Sequence, residues 1–303
     1  MTKDSAGEIA ILVLDTAIEG ITERFGDFGD NATHVLSSAV ANQANELGPT
    51  HYDCVKYQIA HATEASIYLE SLHKTFQDLT ARIEQGIIKG ILLTGSRSDA
   101  FRTDIPWLNE LNTFIKGFLL NLEKFPIVGI CFGHQIIARN LDAKIGRNDA
   151  KNGWELGITK IDINPDILYD ENSPFHGVFD EKTIATKELH LVESHQDIVY
   201  ELPKPYNNSS FVSIGSTNKC EFQGFLTKSG PLKILTFQGH PEFSTDLTLE
   251  LLNRDYRLNY ITEREYKDFT DNTKLFVNQG PVVGKIDLSK EKMKIKVKND
   301  PIH

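Results

Sequence analysis

Apolar and polar positions follow two patterns along the first half of the chain. Short continuous apolar runs are typical of strands that are covered on both faces of a parallel sheet. Stretches with an apolar residue every three or four positions are typical of helices that bury one face. The runs predict strands at residues 9–14, 53–59, 87–93 and 126–130. The spaced positions predict helices at residues 31–47, 63–85, 107–123 and 134–141.

This order of elements favours an α/β fold in which helices cover both faces of a mainly parallel sheet. In the helix predicted at 63–85, one side of the helical wheel carries most of the apolar residues. The candidates for its buried face are Ile67, Leu69, Leu72, Phe76, Leu79 and Ile83.

The second half of the chain has shorter apolar segments, separated by Gly, Pro and Asn. These segments predict hairpins added to the main sheet, near residues 157–163, 188–193, 211–215, 221–226 and 232–237. Helices are predicted at 245–254 and 263–277. Without an internal repeat or a low-complexity linker, the pattern predicts one domain over 9–280 and a C-terminal extension over 281–303. Lysines alternate with apolar residues at 292–298, which is typical of an edge strand.

Charge and cysteine content exclude several classes of protein. The net charge of -10 argues against nucleic acid and anionic membranes as general partners. No stretch reaches the ~20 apolar residues of a membrane span. The three cysteines, Cys54, Cys131 and Cys220, form no CxxC pair, so we expect neither a disulfide framework nor a zinc site. Free thiols suit a cytoplasmic protein.

A G-x-C-x-G segment carries the sharpest chemical signal. Cys131 follows a predicted strand, precedes a predicted helix and is flanked by Gly129 and Gly133. A sharp strand-to-helix turn needs small residues at those two positions and lifts the central side chain into the open. The helix N-terminus then favours thiolate over thiol. Taken alone, a buried structural cysteine explains the segment equally well. We interpret Cys54 and Cys220, which lack this setting, as structural.

The segment His240-Pro241-Glu242 follows another apolar run. A thiol nucleophile needs a base, and the base needs a carboxylate that fixes its orientation. Two side chains at positions i and i+2 of an extended chain point to the same side, and the intervening proline stiffens the segment. Taken alone, a surface turn is the better interpretation. Together with the cysteine segment, a Cys-His-Glu triad becomes the better one.

Together these segments resemble class I glutamine amidotransferases. The motif at 129–135 and the H-P-E motif about a hundred residues later match in order and form. The segment 194–197 resembles the S-H-x-D turn of amidotransferase domains of the GMP synthetase kind, and 153–157 resembles the strand before it. The resemblance covers roughly residues 9–245 and is strongest to stand-alone members, including γ-glutamyl peptidases. It implies a flavodoxin-like three-layer sandwich with a small antiparallel hairpin addition.

The resemblance also implies roles for individual residues. Cys131 would attack the γ-carbonyl of a glutamyl group, His240 would act as general base and acid, and Glu242 would orient the histidine. The implied oxyanion donors and substrate-binding positions are Gly95, Phe132, Gln135, Ser194 and His195. No cofactor or metal is implied.

The oxyanion loop departs from the family's pattern. The usual Gly-Gly-Pro is replaced here by Thr94-Gly95-Ser96, and Arg97 follows. The backbone donor at Gly95 is retained. Arg97 either alters the rim of the pocket or is an exposed loop arginine, and the substrate depends on which holds.

Three classes of function remain open. The first is a hydrolase of γ-glutamyl bonds, acting on glutamine for a separate synthase partner or independently on γ-glutamyl peptides such as glutathione. The second is an α/β-hydrolase with a cysteine elbow, although its triad would place an isolated acid before the histidine. The third is an inactive binding or regulatory protein that retains the fold. The independent hydrolase fits best, because the chain carries no recognisable synthase domain.

Overall fold

The computed structural model describes residues 6–47, 52–61, 66–171, 173–176, 179 and 181–278. The predicted extension at 281–303, with its edge strand at 292–298, lies outside these residues. The described part forms twelve strands and nine helices. The strands are β1 Gly7–Val13, β2 Tyr52–Gln58, β3 Ile88–Leu93, β4 Pro126–Ile130, β5 Ile145–Arg147, β6 Glu155–Ile163, β7 Glu188–His195, β8 Asp197–Val199, β9 Ser210–Ser213, β10 Gly215–Ser216, β11 Phe225–Ser229 and β12 Lys233–Phe237. The helices are α1 Thr22–Phe25, α2 Phe28–Leu47, α3 Ser66–Glu84, α4 Pro106–Gly117, α5 Phe132–Asn140, α6 Pro165–Tyr169, α7 Glu181–Thr186, α8 Thr245–Arg257 and α9 Glu263–Asn278.

Among these residues, seven strands form the main sheet, in the order β2-β1-β3-β4-β12-β11-β9. The first five pair in parallel, and β11 and β9 extend the sheet as antiparallel neighbours. The chain adds β2 on one side of β1 and β3 on the other, so the strand order reverses at β1. This is the doubly wound α/β arrangement predicted from the sequence, in which ligands bind beyond the carboxyl ends of the strands.

The second half adds smaller antiparallel sheets. Strands β6 and β7 pair over eight positions and are joined by β10, while β5 pairs with β8. The antiparallel pairing predicted for the second half is therefore confirmed, but only β9, β11 and β12 lie in the main sheet, whereas the segments predicted at 157–163 and 188–193 pair in a sheet of their own. The prediction of a strand from residue 221 is wrong, because β11 begins only at Phe225. The preceding Gly224 has φ 142°, and a Cβ there would lie 2.1 Å from the Thr236 carbonyl oxygen.

The helix predicted at 107–123 is shorter in the structure. Its start at Pro106 suits proline, whose missing N–H has no helical acceptor at that position. α4 ends at Gly117, and a 3₁₀ turn, Leu119–Asn121, buries two leucines before β4 begins. No helix of the described residues is long and apolar enough to cross a membrane.

The core between α3, α4 and the sheet contains four of the six residues predicted for the buried face of α3, and Leu69 is only partly buried. Leu72, Phe76, Leu79 and Ile83 are buried, but Ile67 is 69% exposed, so its prediction is wrong. Ile67 precedes Leu72 by five positions, which at about 100° per residue turns its side chain well away from the buried stripe.

Candidate active site

Three neighbouring parallel strands bring the predicted site residues to one edge of the sheet. Gly95 follows β3, Cys131 follows β4 directly, and His240 follows β12. Since β3, β4 and β12 are adjacent and parallel, their carboxyl ends lie side by side. Gly95, Cys131 and His240, which lie far apart in the sequence, are therefore close together in the fold.

The turn at Cys131 has the geometry of a strand-to-helix elbow. Cys131 has φ 51° and ψ -103°, a backbone conformation that residues other than glycine rarely adopt. A Cβ on Gly129 would lie 2.6 Å from the backbone of Gly133, and one on Gly133 would lie 2.3 Å from the carbonyl oxygen of Leu93. Both glycines are therefore required by close approach of backbone, as the sequence predicts. The backbone N–H of Cys131 donates to Phe237 and ties the elbow to β12.

His240 and Glu242 lie together beside this elbow. Nδ1 of His240 is 2.8 Å from Oε1 of Glu242, and both side chains are buried. Burial lowers the pKa of His240, but the Glu242 carboxylate and the Cys131 sulfur outweigh it and raise the pKa to about 10. The ring of Phe243 stacks on the imidazole with centroids 4.0 Å apart. The carboxylate and the aromatic ring together fix the orientation of the imidazole.

Gly95 and Phe132, the two predicted oxyanion donors, both lie next to Cys131. A Cβ on Gly95 would be 3.0 Å from Cε1 of His240 and 3.7 Å from Cβ of Cys131, so this backbone passes directly over the pair. Phe132 is the first residue of α5, and N–H groups in the first turn of a helix have no partner within the helix. The backbone at both positions is therefore close to the side chain of Cys131.

A cavity of about 420 Å³ opens over the sulfur. Pockets of roughly 300–1,000 Å³ are typical of small-molecule sites. The structure brings five of the sequence-predicted side chains to its wall: Cys131, Gln135, Ser194, His195 and His240. Glu242 lies behind His240 and reaches the cavity only through it.

Arg97 lies on the rim of this cavity. Its Nε and Nη2 bond Asp15, and its Nη2 also bonds Thr16. The side chain is 41% exposed, so Arg97 is both a half-exposed loop residue and part of the pocket rim. Asp15 also accepts a hydrogen bond from the backbone N–H of Arg97, and so holds the loop that carries Gly95.

Two further arginines line the cavity, each paired with a carboxylate. Arg147 pairs with Asp99 and Asp197, and Arg254 pairs with Asp255. Since Arg254 and Asp255 lie near the end of α8, the cavity wall includes residues about 120 positions beyond the elbow. No spacing rule in the sequence links these residues to Cys131.

A buried ionic cluster lies behind the cavity wall at His195. Its Nε2 is 3.1 Å from Glu155 and 3.2 Å from Glu193, and its Nδ1 contacts the carbonyl oxygen of Asp197 at 3.1 Å. Burial lowers the pKa of His195, but the two carboxylates raise it to about 10. Burial raises the pKa of Glu193, and neither of its carboxylate oxygens accepts a well-aligned hydrogen bond from the described residues.

These three side chains are also the one group in the described part of the chain that lies close enough together to hold a metal ion. The carbonyl of Asp197 can only accept, so Nδ1 of His195 carries a proton. With Nε2 also protonated, the imidazolium itself is the counter-ion of the two carboxylates. Because both of its ring nitrogens carry protons, the imidazolium has no free lone pair with which His195 could bind a metal.

The remaining cysteines and His134 fit structural roles. Burial, followed by the charge of Asp53, raises the pKa of Cys54 to about 11, and burial raises that of Cys220. For His134 burial has the opposite effect and lowers the pKa to about 3, so its ring stays neutral. Nδ1 of this ring lies 2.9 Å from the hydroxyl oxygen of Thr236. Unlike Cys131, none of the three lines the cavity.

Sequence reasoning missed Gln238 and Phe243, which both touch the site. Nε2 of Gln238 lies 3.7 Å from the sulfur of Cys131, and Phe243 stacks on His240. The signal for Gln238 was available, because it precedes His240 by two residues and period-2 alternation puts both on one side of the chain. No sequence signal identifies Phe243.

Comparison with known proteins shows which family this chain resembles. The sequence profile described as glutamine amidotransferase class-I matches residues 50–257. A protein of Schizosaccharomyces pombe described as glutamine amidotransferase-like is 32% identical over 241 residues, which cover 79% of this chain and 80% of that protein. Gamma-glutamyl peptidase 2 of Arabidopsis thaliana is 32% identical over 188 residues, covering 62% and 67% of the two chains.

The fold has a counterpart among solved structures. The crystal structure of a glutamine amidotransferase from Thermotoga maritima matches with a TM-score of 0.50 and 17% sequence identity. The match covers 89% of this chain and 94% of that one. At this identity the likeness concerns the fold alone.

Proposed function

Because the chain belongs to the class I glutamine amidotransferase family, we propose that it hydrolyses γ-glutamyl amide bonds with Cys131 as its nucleophile. The observation that carries this proposal is the ordered pair of His240 and Glu242, 2.8 Å apart and buried beside the strained elbow of Cys131. Glu242 occupies Nδ1 of the imidazole, so Nε2 remains for proton exchange with the thiol. The proposed catalytic domain spans residues 9–280.

The first half of the proposed reaction forms a thioester. The sulfur of Cys131 attacks the γ-carbonyl carbon, and the carbonyl oxygen takes up the negative charge between the N–H groups of Gly95 and Phe132. The imidazolium of His240 then gives its proton to the leaving nitrogen. The C–N bond breaks, ammonia or an amine departs, and a γ-glutamyl thioester remains on Cys131.

The second half releases glutamate. Neutral His240 accepts a proton from water, and the water oxygen attacks the thioester carbon. The C–S bond breaks and the thiolate of Cys131 returns. Glu242 keeps the imidazole in one tautomer and orientation through both halves, and it stabilises the imidazolium that forms between them.

The substrate is proposed to be a γ-glutamyl peptide rather than glutamine alone. The wall of the cavity includes Gln135, Ser194 and His195, which the family resemblance assigns to the glutamyl group, and also Arg97 and Arg254. Ammonia, the leaving group from glutamine, has no carboxylate for these arginines to bind. The rest of a γ-glutamyl peptide offers such a carboxylate, which supports the peptide as substrate.

A glutaminase that supplies ammonia to a separate synthase partner is the second candidate. The same triad would serve it, and the exposed ring of Tyr260 on the wall of the cavity favours contact with another protein. The proposed compartment for either activity is the cytoplasm, since all three cysteines are free thiols.

Hydrolysis assays on the purified chain test this proposal. We expect the chain to release glutamate from glutathione or γ-glutamyl dipeptides, and Cys131→Ala to abolish the release. Turnover of glutamine without peptides would favour the glutaminase. If no substrate turns over and a glutamine-analogue alkylator leaves Cys131 unmodified, the chain is a binding protein and the proposal fails.

A further inference from the structure

A buried glutamine, which has no role in the mechanism described above, contacts the sulfur of Cys131. Nε2 of Gln238 lies 3.7 Å from Sγ of Cys131, within the range of a hydrogen bond to sulfur, and the side chain of Gln238 is fully buried. No water is needed to satisfy it, because its amide oxygen accepts from Nε2 of Gln135 at 3.1 Å.

The orientation of this amide follows from its partners. Nε2 of Gln135 also donates to the carbonyl oxygen of Asp197 at 2.9 Å. A carbonyl can only accept, so the NH₂ group of Gln135 must face both Asp197 and Gln238. Gln238 therefore presents its oxygen to Gln135 and its NH₂ group to the sulfur. The reverse orientation would set two NH₂ groups against each other.

The far end of this chain of hydrogen bonds is anchored by the buried ionic cluster. The carbonyl oxygen of Asp197 also accepts a hydrogen bond from Nδ1 of His195. The other ring nitrogen of His195, Nε2, donates to the carboxylate of Glu155. Consecutive hydrogen bonds thus connect the carboxylate of Glu155 to the sulfur of Cys131, and in each of them only one of the two groups can be the donor. Such a network fixes the position of its last donor before substrate binds.

We propose that Gln238 is a catalytic residue that donates a hydrogen bond to the sulfur of Cys131 and stabilises its thiolate before attack. A neutral thiol is a weak acceptor, whereas a thiolate accepts a shorter, charge-assisted bond. The donor therefore favours the reactive form selectively. Once the thioester forms the sulfur is neutral again, and the contribution of Gln238 falls. This inference rests on the proposed function of Cys131.

Alkylation of Cys131 by iodoacetamide as a function of pH tests the proposal without any substrate. Gln238→Leu keeps most of the volume and removes the donor. We expect the alkylation rate of this variant to fall roughly tenfold at pH values where the Cys131 thiol of the wild type is only partly ionised. The curve of rate against pH should move up by about one pH unit. At high pH the rate should equal or exceed that of the wild type, because a thiolate without a donor is the stronger nucleophile.

Gln223→Leu is the matched control. Gln223 is as deeply buried as Gln238 and bonds Glu155, but it does not touch the sulfur. Its profile should stay within about twofold of the wild type. Gln238→Asn, which keeps an amide but shortens the side chain, should shift the profile like Gln238→Leu and decides the matter if the leucine variant does not fold.

Coincident profiles for wild type and Gln238→Leu, or equal shifts for the Gln238 and Gln223 variants, would overturn the proposal. A rate that falls equally at all pH values would also overturn it, since that result indicates altered access rather than altered ionisation. If the shift occurs in a protein that hydrolyses no γ-glutamyl compound, the proposed function fails and the contact of Gln238 with the thiolate stands.

Discussion

Oε1 of Glu242 lies 2.8 Å from Nδ1 of His240, although a single proline separates the two residues. Pro241 restricts its own φ and keeps His240 extended, so both side chains turn to one side of the chain. The carboxylate and the imidazole are both buried, which makes their interaction stronger than it would be in water. Three consecutive residues thus supply an oriented base.

Replacing the carboxylate tests this arrangement. Glu242→Gln keeps the size of the side chain and removes its charge. We expect kcat to fall by roughly 10²–10⁴ with little change in KM, because the amide neither stabilises the imidazolium nor selects the productive tautomer. Steady-state kinetics on a γ-glutamyl peptide measure both constants. A variant with wild-type kcat would exclude Glu242 as the orienting residue.

The same pair predicts how stability depends on pH. The pKa of His240 is raised from 6.5 to about 10, so its protonation stabilises the folded state fully below pH 6.5 and is lost as the pH rises through about 10. In Glu242→Gln this contribution should shrink. Urea unfolding between pH 6.5 and 10 should therefore show a steeper decline for the wild type than for the variant. If the free energy of unfolding falls equally with pH in both proteins, Glu242 does not raise the pKa of His240.

Much of this site follows from local rules that a sequence exposes. The elbow at Cys131 could be predicted because two glycines and an apolar run specify a sharp turn within five residues. The His240–Glu242 pair could be predicted because alternation along an extended chain is a local property. The order of the parallel strands then brings the two motifs together, and alternating strands and helices predict that order only in outline.

What could not be predicted depends on contacts between distant segments. Glu155 meets His195 across two paired strands, 40 residues apart, and no periodicity links them. Arg97 bonds Asp15 across 82 residues. The prediction for Ile67 is wrong for a different reason, because apolar character alone does not give the angular position of a side chain on a helix. Local patterns give the elements, whereas the second layer of the site comes from packing.

The glycine after the elbow gives a stability prediction with an internal control. A Cβ on Gly133 would lie 2.3 Å from a backbone oxygen of β3, which cannot move without disturbing the sheet. Gly133→Ala should cost more than about 3 kcal/mol or prevent folding. Gly117→Ala meets nothing within 4 Å and should gain up to about 1 kcal/mol. Thermal unfolding of both variants measures the difference, and equal effects would refute the close approach.

Arg97 should affect substrate use more than stability. Its pairing with Asp15 is partly exposed, so Arg97→Gln should lower the free energy of unfolding by less than about 1 kcal/mol. KM for γ-glutamyl peptides with a free carboxylate should rise roughly tenfold, about 1.4 kcal/mol, with kcat nearly unchanged. Peptides with an amidated C-terminus serve as the comparison. An equal loss on both kinds of peptide would show that Arg97 acts only by holding its loop.

Removing the buried cation should expose the cost of the carboxylates that it balances. In His195→Gln, Glu155 and Glu193 face each other without a counter-ion, so we expect a loss of roughly 3–5 kcal/mol near pH 7 by urea unfolding. Burial already raises the pKa of Glu193, and loss of the imidazolium raises it further. A carboxyl group whose folded pKa is raised favours the folded state as the pH falls, so the variant should recover stability between pH 7 and about 5. The double variant His195→Gln/Glu193→Gln should be more stable at pH 7 than the single variant, because only one buried charge remains. If the single variant instead loses stability on acidification in parallel with the wild type, His195 is not the cation that holds the two carboxylates.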